Sequence, residues 1–248
     1  MNRKKRLIIL AVIIAIVAIA ILLVKVIIPN IRLNKERKEE EAYKAAISCE
    51  LKDADKGNIV KFGTYQGEDV EWLVLDKQGD KIFVTTYYAI DCKPYNEEFV
   101  EVTWEDCTLR TWLNKDFYNA AFSDEEKSMI PTTNVANKDN TKYETDGGND
   151  TKDKVFLLSI DEVNKYFGDD GSRQCAATPY AVEEGCWRYN PKHYSKDGKG
   201  IYRWWLRSSG GHQDRAANVN DAGGVDTYGD YVDIDSDGVR PALWIVMK

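Results

Sequence analysis

The strongest pattern in the chain is an apolar run near the N-terminus. Eighteen uninterrupted apolar residues, Leu7 to Val24, follow a basic cluster at residues 3–6, and after Lys25 the run resumes for three more positions. As a helix, residues 7–28 would span about 33 Å, enough to cross the hydrocarbon core of a bilayer. A cleaved signal peptide would have a shorter apolar region and a small-residue cleavage site. The pattern therefore predicts that residues 1–28 form a cytoplasmic tip and one uncleaved transmembrane helix, with the lipid bilayer as its partner.

A charged segment follows this run. Residues 29–56 mix acidic and basic side chains and hold no sustained heptad of apolar positions, which is typical of a solvated stalk helix. Basic residues also lie beyond the span, at Arg32 and Lys35, but the tight cluster directly before it favours a cytoplasmic N-terminus. We therefore expect a single-pass protein of the cell membrane whose C-terminal domain is extracellular.

Strand periodicity begins the third region, a single domain over residues 57–248. Three runs, Asn58–Phe62, Val70–Leu75 and Lys81–Thr86, are separated by glycine-containing turns, which predicts an antiparallel meander. Further along, the apolar run Lys154–Leu158 predicts a buried strand, and the polar stretch Thr132–Asp153 predicts a mobile surface loop.

The segments between the predicted strands show helical spacing of apolar residues or helix-capping signals. Apolar residues recur at helical intervals from Trp104 to Ala121, with Thr103 as the expected N-cap. Two Ser-x-x-Glu capping boxes begin at Ser123 and Ser159, and the second helix should end at Phe167. Another helix is expected over residues 174–184. The predicted fold class is α+β: an antiparallel sheet, two or three helices and long loops, preceded by one transmembrane helix.

Two aromatic runs near the C-terminus each enclose an arginine. They are residues 202–208 (YRWWLRS) and residues 239–244 (VRPALW), and the second continues almost without polar residues to Met247. Such a run is expected of a strand covered on both faces. An arginine beside tryptophans is commonly held by a carboxylate or by backbone carbonyls. Ligand binding is the alternative role for these arginines.

Together with Thr103-Trp104 and residues 108–114 (TLRTWLN), these runs resemble a bacterial family known as domain of unknown function 6273. The resemblance covers about Lys56 to the C-terminus and implies no established activity. The closing pattern is also similar to the C-type-lectin-like fold, which bacterial variable ligand-binding proteins share with formylglycine-generating enzymes. That similarity implies that the strand over residues 243–247 pairs antiparallel with a strand between residues 58 and 75. It also implies that the ligand site lies in the loops before that last strand.

Charge excludes one class of partner. The chain has a net charge of −7, and its first 28 residues hold five basic and no acidic residues, so the remainder has 29 basic against 41 acidic residues. Nucleic-acid binding requires clustered lysine and arginine. We therefore expect no nucleic-acid partner.

The five cysteines point to disulfides rather than to a metal. No CxxC pair is present and only two histidines accompany them, so a zinc site has no support. Outside the cell, disulfides become available. Cys92, after the third strand, and Cys107, in the first turn of the helix, are the first candidate pair, and Cys175 with Cys186 is the second. Cys49 would remain free or link two protomers, and the oligomeric state is left open.

Enzymatic motifs are absent from the sequence. Its two histidines, His193 and His212, lie in polar loops, and neither a nucleophile elbow, a Walker loop nor a dinucleotide fingerprint is present. Residues 233–238 begin like a calcium loop, but its twelfth position is Trp244 where a glutamate is needed. A solvated acidic strand end is therefore favoured over a calcium site. We expect neither catalysis nor a cofactor nor a metal.

The polar, glycine-rich stretch Ser208–Gly238 is the candidate ligand site. Tyrosines with small polar residues suit adaptable recognition, and the adjoining aromatic strand would supply a rigid floor. The candidate ligand-binding residues are Trp205, Arg207, His212, Asp214, Tyr228, Tyr231, Asp233 and Asp235. The predicted function is a membrane-anchored extracellular module that binds a glycan, a peptide or a cell-wall component. The alternative is a structural or assembly domain of the cell envelope.

Overall fold

A long helix begins the continuously described part of the chain. The computed structural model describes residues 2, 4, 12–14, 17, 21, 23–188 and 200–247. A π-helical turn, Leu23–Ile27, leads into α1, Ile28–Ile47, so the first part of the predicted stalk is helical. Half of the predicted transmembrane span, eleven of residues 7–28, lies outside the described residues. Within the residues that are described, none of the helices combines the length and the apolar character needed to cross a membrane.

The chain separates into two compact units, with the boundary between Ala45 and Ala46. The larger unit opens with the predicted meander: β1 (Ile59–Tyr65), β2 (Glu68–Gln78) and β3 (Lys81–Thr86). The C-terminal strand β13 (Ala242–Val246) completes this sheet in the order β1-β2-β3-β13.

The position of β13 corrects one prediction. It lies in the expected sheet and is antiparallel, but it pairs with β3, outside the expected range of residues 58–75. The physical reason is that β3 is buried along almost its whole length, from Ile82 to Thr86. In a strand buried this completely, the backbone N–H and C=O groups of both edges are shielded from water and need hydrogen-bond partners, and β13 supplies those of the second edge.

A second sheet contains most of the stretch that was expected to be a polar loop. Its order is β11-β10-β9-β12-β4. The strands are β4 (Asp91–Cys92), β9 (Trp204–Ser209), β10 (Arg215–Val219), β11 (Val225–Tyr231) and β12 (Gly238–Val239). The prediction of one long loop over residues 208–238 is therefore wrong. Small residues hide the strand pattern there, yet three of the five residues of β10, Ala216, Ala217 and Val219, are completely buried.

The helices are short, and both predicted capping boxes are confirmed. Ser123 caps α4 (Asp124–Met129) and Ser159 caps α5 (Ile160–Tyr166), each with its glutamate three residues on. The helix predicted to begin at Trp104 begins later: α2 (Thr108–Trp112) continues through a π-helical segment (Leu113–Phe117) into α3 (Tyr118–Ala121). Its N-cap is Cys107 and not Thr103, because residues 104–106 form a turn.

Three further segments differ from the sequence-based expectation. The helix predicted over residues 174–184 is confined to α7 (Pro179–Glu183), since α6 (Asp170–Arg173) and the short strand β7 (Cys175–Ala176) precede it. The latter strand pairs with β8 (Ile201–Tyr202). The expected mobile loop contains a hairpin of β5 (Thr133–Val135) and β6 (Thr151–Asp153). Residues 155–158 are buried as expected and Lys154 is half-buried, but in this segment only Phe156 forms a β-bridge, with Ala242.

The core of the α+β unit is rich in tryptophan. Trp72, Trp104, Trp204 and Trp205 are fully buried. The guanidinium of Arg240 lies 4.8 Å from the ring centre of Trp204, and its Nε donates a 2.8 Å hydrogen bond to the carbonyl of Thr86. The structural role expected for this arginine is confirmed.

Candidate functional site

A polar cleft of about 860 Å³ opens on the surface of the folded unit. Three parts of the fold form it: residues 136–142 after β5, the first turn of α5 at Ser159–Glu162, and the second sheet at Arg207, Ser208 and Thr227. We call this feature the polar cleft. Most of its lining side chains are amides, hydroxyls and charged groups, unlike the mainly apolar lining that is usual for drug-sized ligands.

Arg207 forms the floor of the polar cleft. It is 5% exposed and forms an ion pair with Glu162. Its remaining donors reach the carbonyl of Leu157 (2.8 Å), the carbonyl of Ala136 (3.0 Å) and the side-chain oxygen of Asn137 (3.2 Å). Acceptor groups of the protein itself therefore use the hydrogen-bond donors of this guanidinium. Arg207 fixes the three parts of the cleft relative to one another, and its main role is structural.

The wall formed by residues 136–147 is tied to the second sheet by side-chain amides and hydroxyls. The amide of Asn140 donates to the carbonyls of Ser209 (3.0 Å) and Thr227 (2.9 Å), and Thr145 donates to the carbonyl of Gly210 (2.8 Å). At Gly147 a Cβ atom would lie 2.5 Å from the carbonyl oxygen of Asn137, so only glycine allows the wall to fold back on itself.

Charges around the rim are balanced. Lys138 and Asp161 form an exposed ion pair across the cleft at 2.8 Å. Lys142 and Asp139 also line the cleft, one cation and one anion. Because neither sign dominates, the rim does not select for a strongly charged ligand.

Beside the polar cleft, aromatic side chains from the second sheet and from two neighbouring loops form a partly exposed row. We define the aromatic ridge as Phe99, Tyr143, His212, Arg215, Tyr228 and Tyr231. Their exposed fractions include 55% for Phe99, 43% for Tyr231 and 40% for Tyr228.

Close ring contacts hold the ridge together. Tyr228 lies 5.5 Å from Tyr143 and 5.7 Å from His212, measured between ring centroids, and Phe99 lies 5.3 Å from Tyr231. The guanidinium of Arg215 lies 3.7 Å from the ring centre of Tyr231 and 4.7 Å from that of Tyr228, which joins the two ends by cation–π contact.

Two glycines determine the position of the Tyr228 ring. The pairing of β10 with β11 is irregular between Ala216 and Asn218, and opposite this bulge Gly229 has a φ of +70°. A Cβ at Gly229 would lie 1.9 Å from the carbonyl oxygen of Ala216. At Gly211 a Cβ would lie 2.2 Å from the Tyr228 ring, so the ring rests directly on glycine backbone. The glycines that made this stretch resemble a loop are those that allow its strands and rings to approach.

The structure distributes the eight predicted ligand residues over several environments. His212, Tyr228 and Tyr231 lie together in the aromatic ridge, and Arg207 lies under the polar cleft. Trp205 is a correction: it is fully buried, and its indole donates to the carbonyl of Lys93 at 2.9 Å, so it has no surface to offer a ligand.

The three predicted aspartates lie outside both features. Asp214 is half-buried, and its carbonyl accepts a 3.0 Å hydrogen bond from Val232. Asp233 and Asp235 are exposed in the turn after β11. Over the described residues, no group of three or more His, Cys, Asp or Glu side chains is placed to hold a metal ion.

Several residues of these features escaped the sequence-based prediction. Asn137, Asn140 and Asp161 line the cleft but belong to segments interpreted as a loop and as a helix start. Phe99 belongs to an otherwise acidic stretch, residues 97–101 (EEFVE), and an isolated phenylalanine among glutamates was a usable signal for an exposed aromatic site.

The expected disulfides are absent, and all five cysteines are free. Cys107 caps α2, where its sulfur accepts a 3.4 Å hydrogen bond from the backbone of Arg110, and burial raises the pKa of its thiol to about 12. Cys92 lies in β4 near the carbonyls of Asp235 and Asp237. The predicted Cys92–Cys107 pair is therefore wrong, because the two thiols have separate surroundings. His193 lies outside the described residues.

Together, the two sheets, the polar cleft and the aromatic ridge define an acidic α+β domain with a polar surface site. The chain belongs to the family described as Domain of unknown function (DUF6273), whose model matches residues 79–247. That range runs from the turn before β3 through β13 and includes every residue of the cleft and the ridge, while β1 and β2 precede it. The resemblance of the aromatic runs to this family is thus confirmed. No curated protein and no solved structure matches the chain.

Proposed function

We propose that the folded unit is a binding module, and that its ligand is a neutral glycan, free or as part of a cell-wall component. The observation that carries this proposal is that the polar cleft adjoins the aromatic ridge at Thr227 and Tyr228. Thr227 lines the cleft, and its neighbour Tyr228 is the central ring of the ridge. Lys142 connects the two features, since its ammonium lies 3.3 Å from the Thr227 hydroxyl and 4.9 Å from the Tyr143 ring centre.

A saccharide suits this arrangement for two physical reasons. Its hydroxyls require donors and acceptors; along the cleft the carboxylates of Asp139 and Asp161 supply acceptors, and the ammonium groups of Lys138 and Lys142 supply donors. The C–H faces of its rings are apolar, and an exposed tyrosine offers a rigid amphipathic surface at a small entropic cost. The balanced rim charge favours a neutral chain over a nucleic acid or a polyphosphate. A peptide is the second ligand class compatible with the site.

The proposal also includes the type of fold and the location of the protein. We infer a C-type-lectin-like arrangement, supported by the return of the last strand, β13, to the N-terminal sheet. We also propose that residues 7–28 anchor the chain in the cell membrane with the folded unit outside. The support is the uninterrupted apolar run and the basic cluster before it.

The test is binding of the full-length chain, in detergent micelles, to an array of neutral oligosaccharides and peptidoglycan fragments. Tyr228→Ala and Asp161→Asn should each weaken binding about tenfold, which corresponds to roughly 1.4 kcal/mol. Trp187→Ala is the control for the first variant, because Trp187 is an exposed aromatic outside the ridge. Asp69→Asn is the control for the second, because Asp69, like Asp161, forms an exposed ion pair with a lysine.

Two results would overturn the proposal. One is glycan binding that the two variants and their controls retain equally, which would place the site elsewhere. The other is no binding to any neutral glycan, combined with a change of oligomeric state in Tyr228→Ala. That outcome would support the alternative function, a structural or assembly domain that uses the ridge as a contact surface.

A further inference from the structure

Two buried cysteines meet where β4 pairs with β12. Cys92 is directly opposite Gly238 in this antiparallel pair. Its sulfur lies 3.2 Å from the carbonyl oxygen of Asp235 and 3.4 Å from that of Asp237, so the thiol points across to the β12 side.

Cys186 reaches the same place from a distant part of the chain. It follows α7, and its sulfur lies 3.6 Å from the carbonyl oxygen of Asp91, the residue before Cys92. The same sulfur lies 3.7 Å from the position that a Cβ atom on Gly238 would occupy. A hydrogen bond with the Cys92 thiol, and then burial, raise the pKa of Cys186. The two thiols are therefore direct neighbours.

The remaining cysteines do not share this site. Cys107 contacts the carbonyl of Trp104, and Cys175 lies 3.7 Å from the carbonyl of Tyr87. Cys49 is partly exposed, near the start of the folded unit.

We propose that Cys92 and Cys186 form an intramolecular disulfide when the protein meets a low-molecular-weight disulfide such as oxidised glutathione. One of the two sulfurs, as a thiolate, attacks a sulfur of glutathione disulfide, forms a mixed disulfide and releases one glutathione thiolate. The second cysteine thiolate attacks the protein sulfur of that mixed disulfide, forms the Cys92–Cys186 bond and releases the second glutathione. Two cysteine thiols are oxidised, one glutathione disulfide is reduced, and the two protons pass to the released thiolates.

This bond joins the β4–β12 edge of the second sheet to the segment after α7. The residues between the two cysteines include α2 to α7 and the β5–β6 hairpin, so the bond closes a long loop of chain. In the reduced form the two segments are held there by noncovalent contacts, among them the hydrogen bond from the backbone of Trp187 to the carbonyl of Ser236, and in the oxidised form they are linked covalently. The inference is independent of the proposed glycan site.

The experiment maps disulfides in the full-length wild-type chain, in detergent micelles, after long incubation with oxidised glutathione at about pH 8. Unreacted thiols are alkylated in denaturant before digestion. Trypsin alone leaves Cys92 and Cys107 in one peptide, because Lys93 precedes Pro94, so cleavage after Glu97 and Glu98 by a glutamate-specific protease is also needed. A linked pair of peptides carrying Cys92 and Cys186 is expected, and two of the five thiols should become unavailable to the alkylating reagent.

Single-serine variants provide the matched comparison. Cys186→Ser and Cys92→Ser should show no intramolecular cross-link and no loss of alkylatable thiols beyond a mixed disulfide that reducing agent removes. Cys49→Ser should form the cross-link as fully as the wild type. If all five wild-type thiols were alkylated after oxidation, or if Cys92 were linked to Cys107, the proposal would be wrong.

Discussion

Replacing Asp237 by asparagine should remove a pH dependence from the stability of the fold. Asp237 is 2% exposed, and its carboxylate accepts a 3.0 Å hydrogen bond from the amide of Asn218. The same amide donates at 2.8 Å to Asp230, which forms an ion pair with Arg203. Burial, and then the charge of Asp230, raise the pKa of Asp237 to about 7, from 3.8 when unperturbed.

The sign of the effect follows from proton binding. Between pH 3.8 and about pH 7 the folded protein keeps a proton on Asp237 that the unfolded chain has released. The free energy of unfolding therefore falls as the pH rises through this window. Above about pH 7 Asp237 is ionised in both states, so this contribution to stability is lost completely. Over the whole interval the free energy of unfolding falls by roughly 4 kcal/mol, and about 2–3 kcal/mol of this decrease occurs between pH 5 and pH 8. Asparagine has nearly the same shape and does not ionise, so the variant should lack this component.

The assay is urea unfolding of the wild type and of Asp237→Asn at about pH 5 and pH 8. The stability of the variant relative to the wild type should be greater at pH 8 by roughly 2–3 kcal/mol, while contributions from all other groups cancel in the comparison. Asp235→Asn is the control, because Asp235 lies two residues away on the same turn but is exposed. A difference between Asp237→Asn and the wild type that is the same at both pH values would refute the reasoning.

Two further substitutions test the floor of the cleft and the bulge beneath the ridge. Arg207→Met should destabilise the fold by about 2–4 kcal/mol, because it removes the ion pair with Glu162 and leaves the carbonyls of Leu157 and Ala136 without their donor. Lys138→Met, which breaks an exposed pair, should destabilise the fold by less than about 1 kcal/mol in the same urea titration. Gly79 and Gly229 have similar left-handed backbone conformations, but only Gly79 has open space around it. Gly79→Ala should therefore lower the free energy of unfolding by about 1–2 kcal/mol, and Gly229→Ala should lower it by more. Equal losses within either pair of variants would contradict the corresponding assignment.

Local signals in the sequence were sufficient where a few neighbouring residues decide the structure. The meander β1–β3 follows from strand periodicity and turn residues, and both capping boxes follow from a hydrogen-bond pattern that spans four residues. The structural role of Arg240 also followed, because an arginine among buried tryptophans requires a buried partner. Family membership rests likewise on short runs of aromatic residues.

The candidate site could not be found this way, because distant segments create it. The polar cleft joins residue 140 to Ser209 and Thr227, and a polar stretch by itself gives no sign that its amides will be used by backbone carbonyls about 70–90 positions away. The same cause explains the errors over β10, β11 and the cysteines. Glycines at close backbone approaches resemble the glycines of a loop, and thiol pairing depends on which strands meet. Local chemistry thus determined the elements and their ends, whereas the tertiary packing alone decided which surfaces and side chains were brought together.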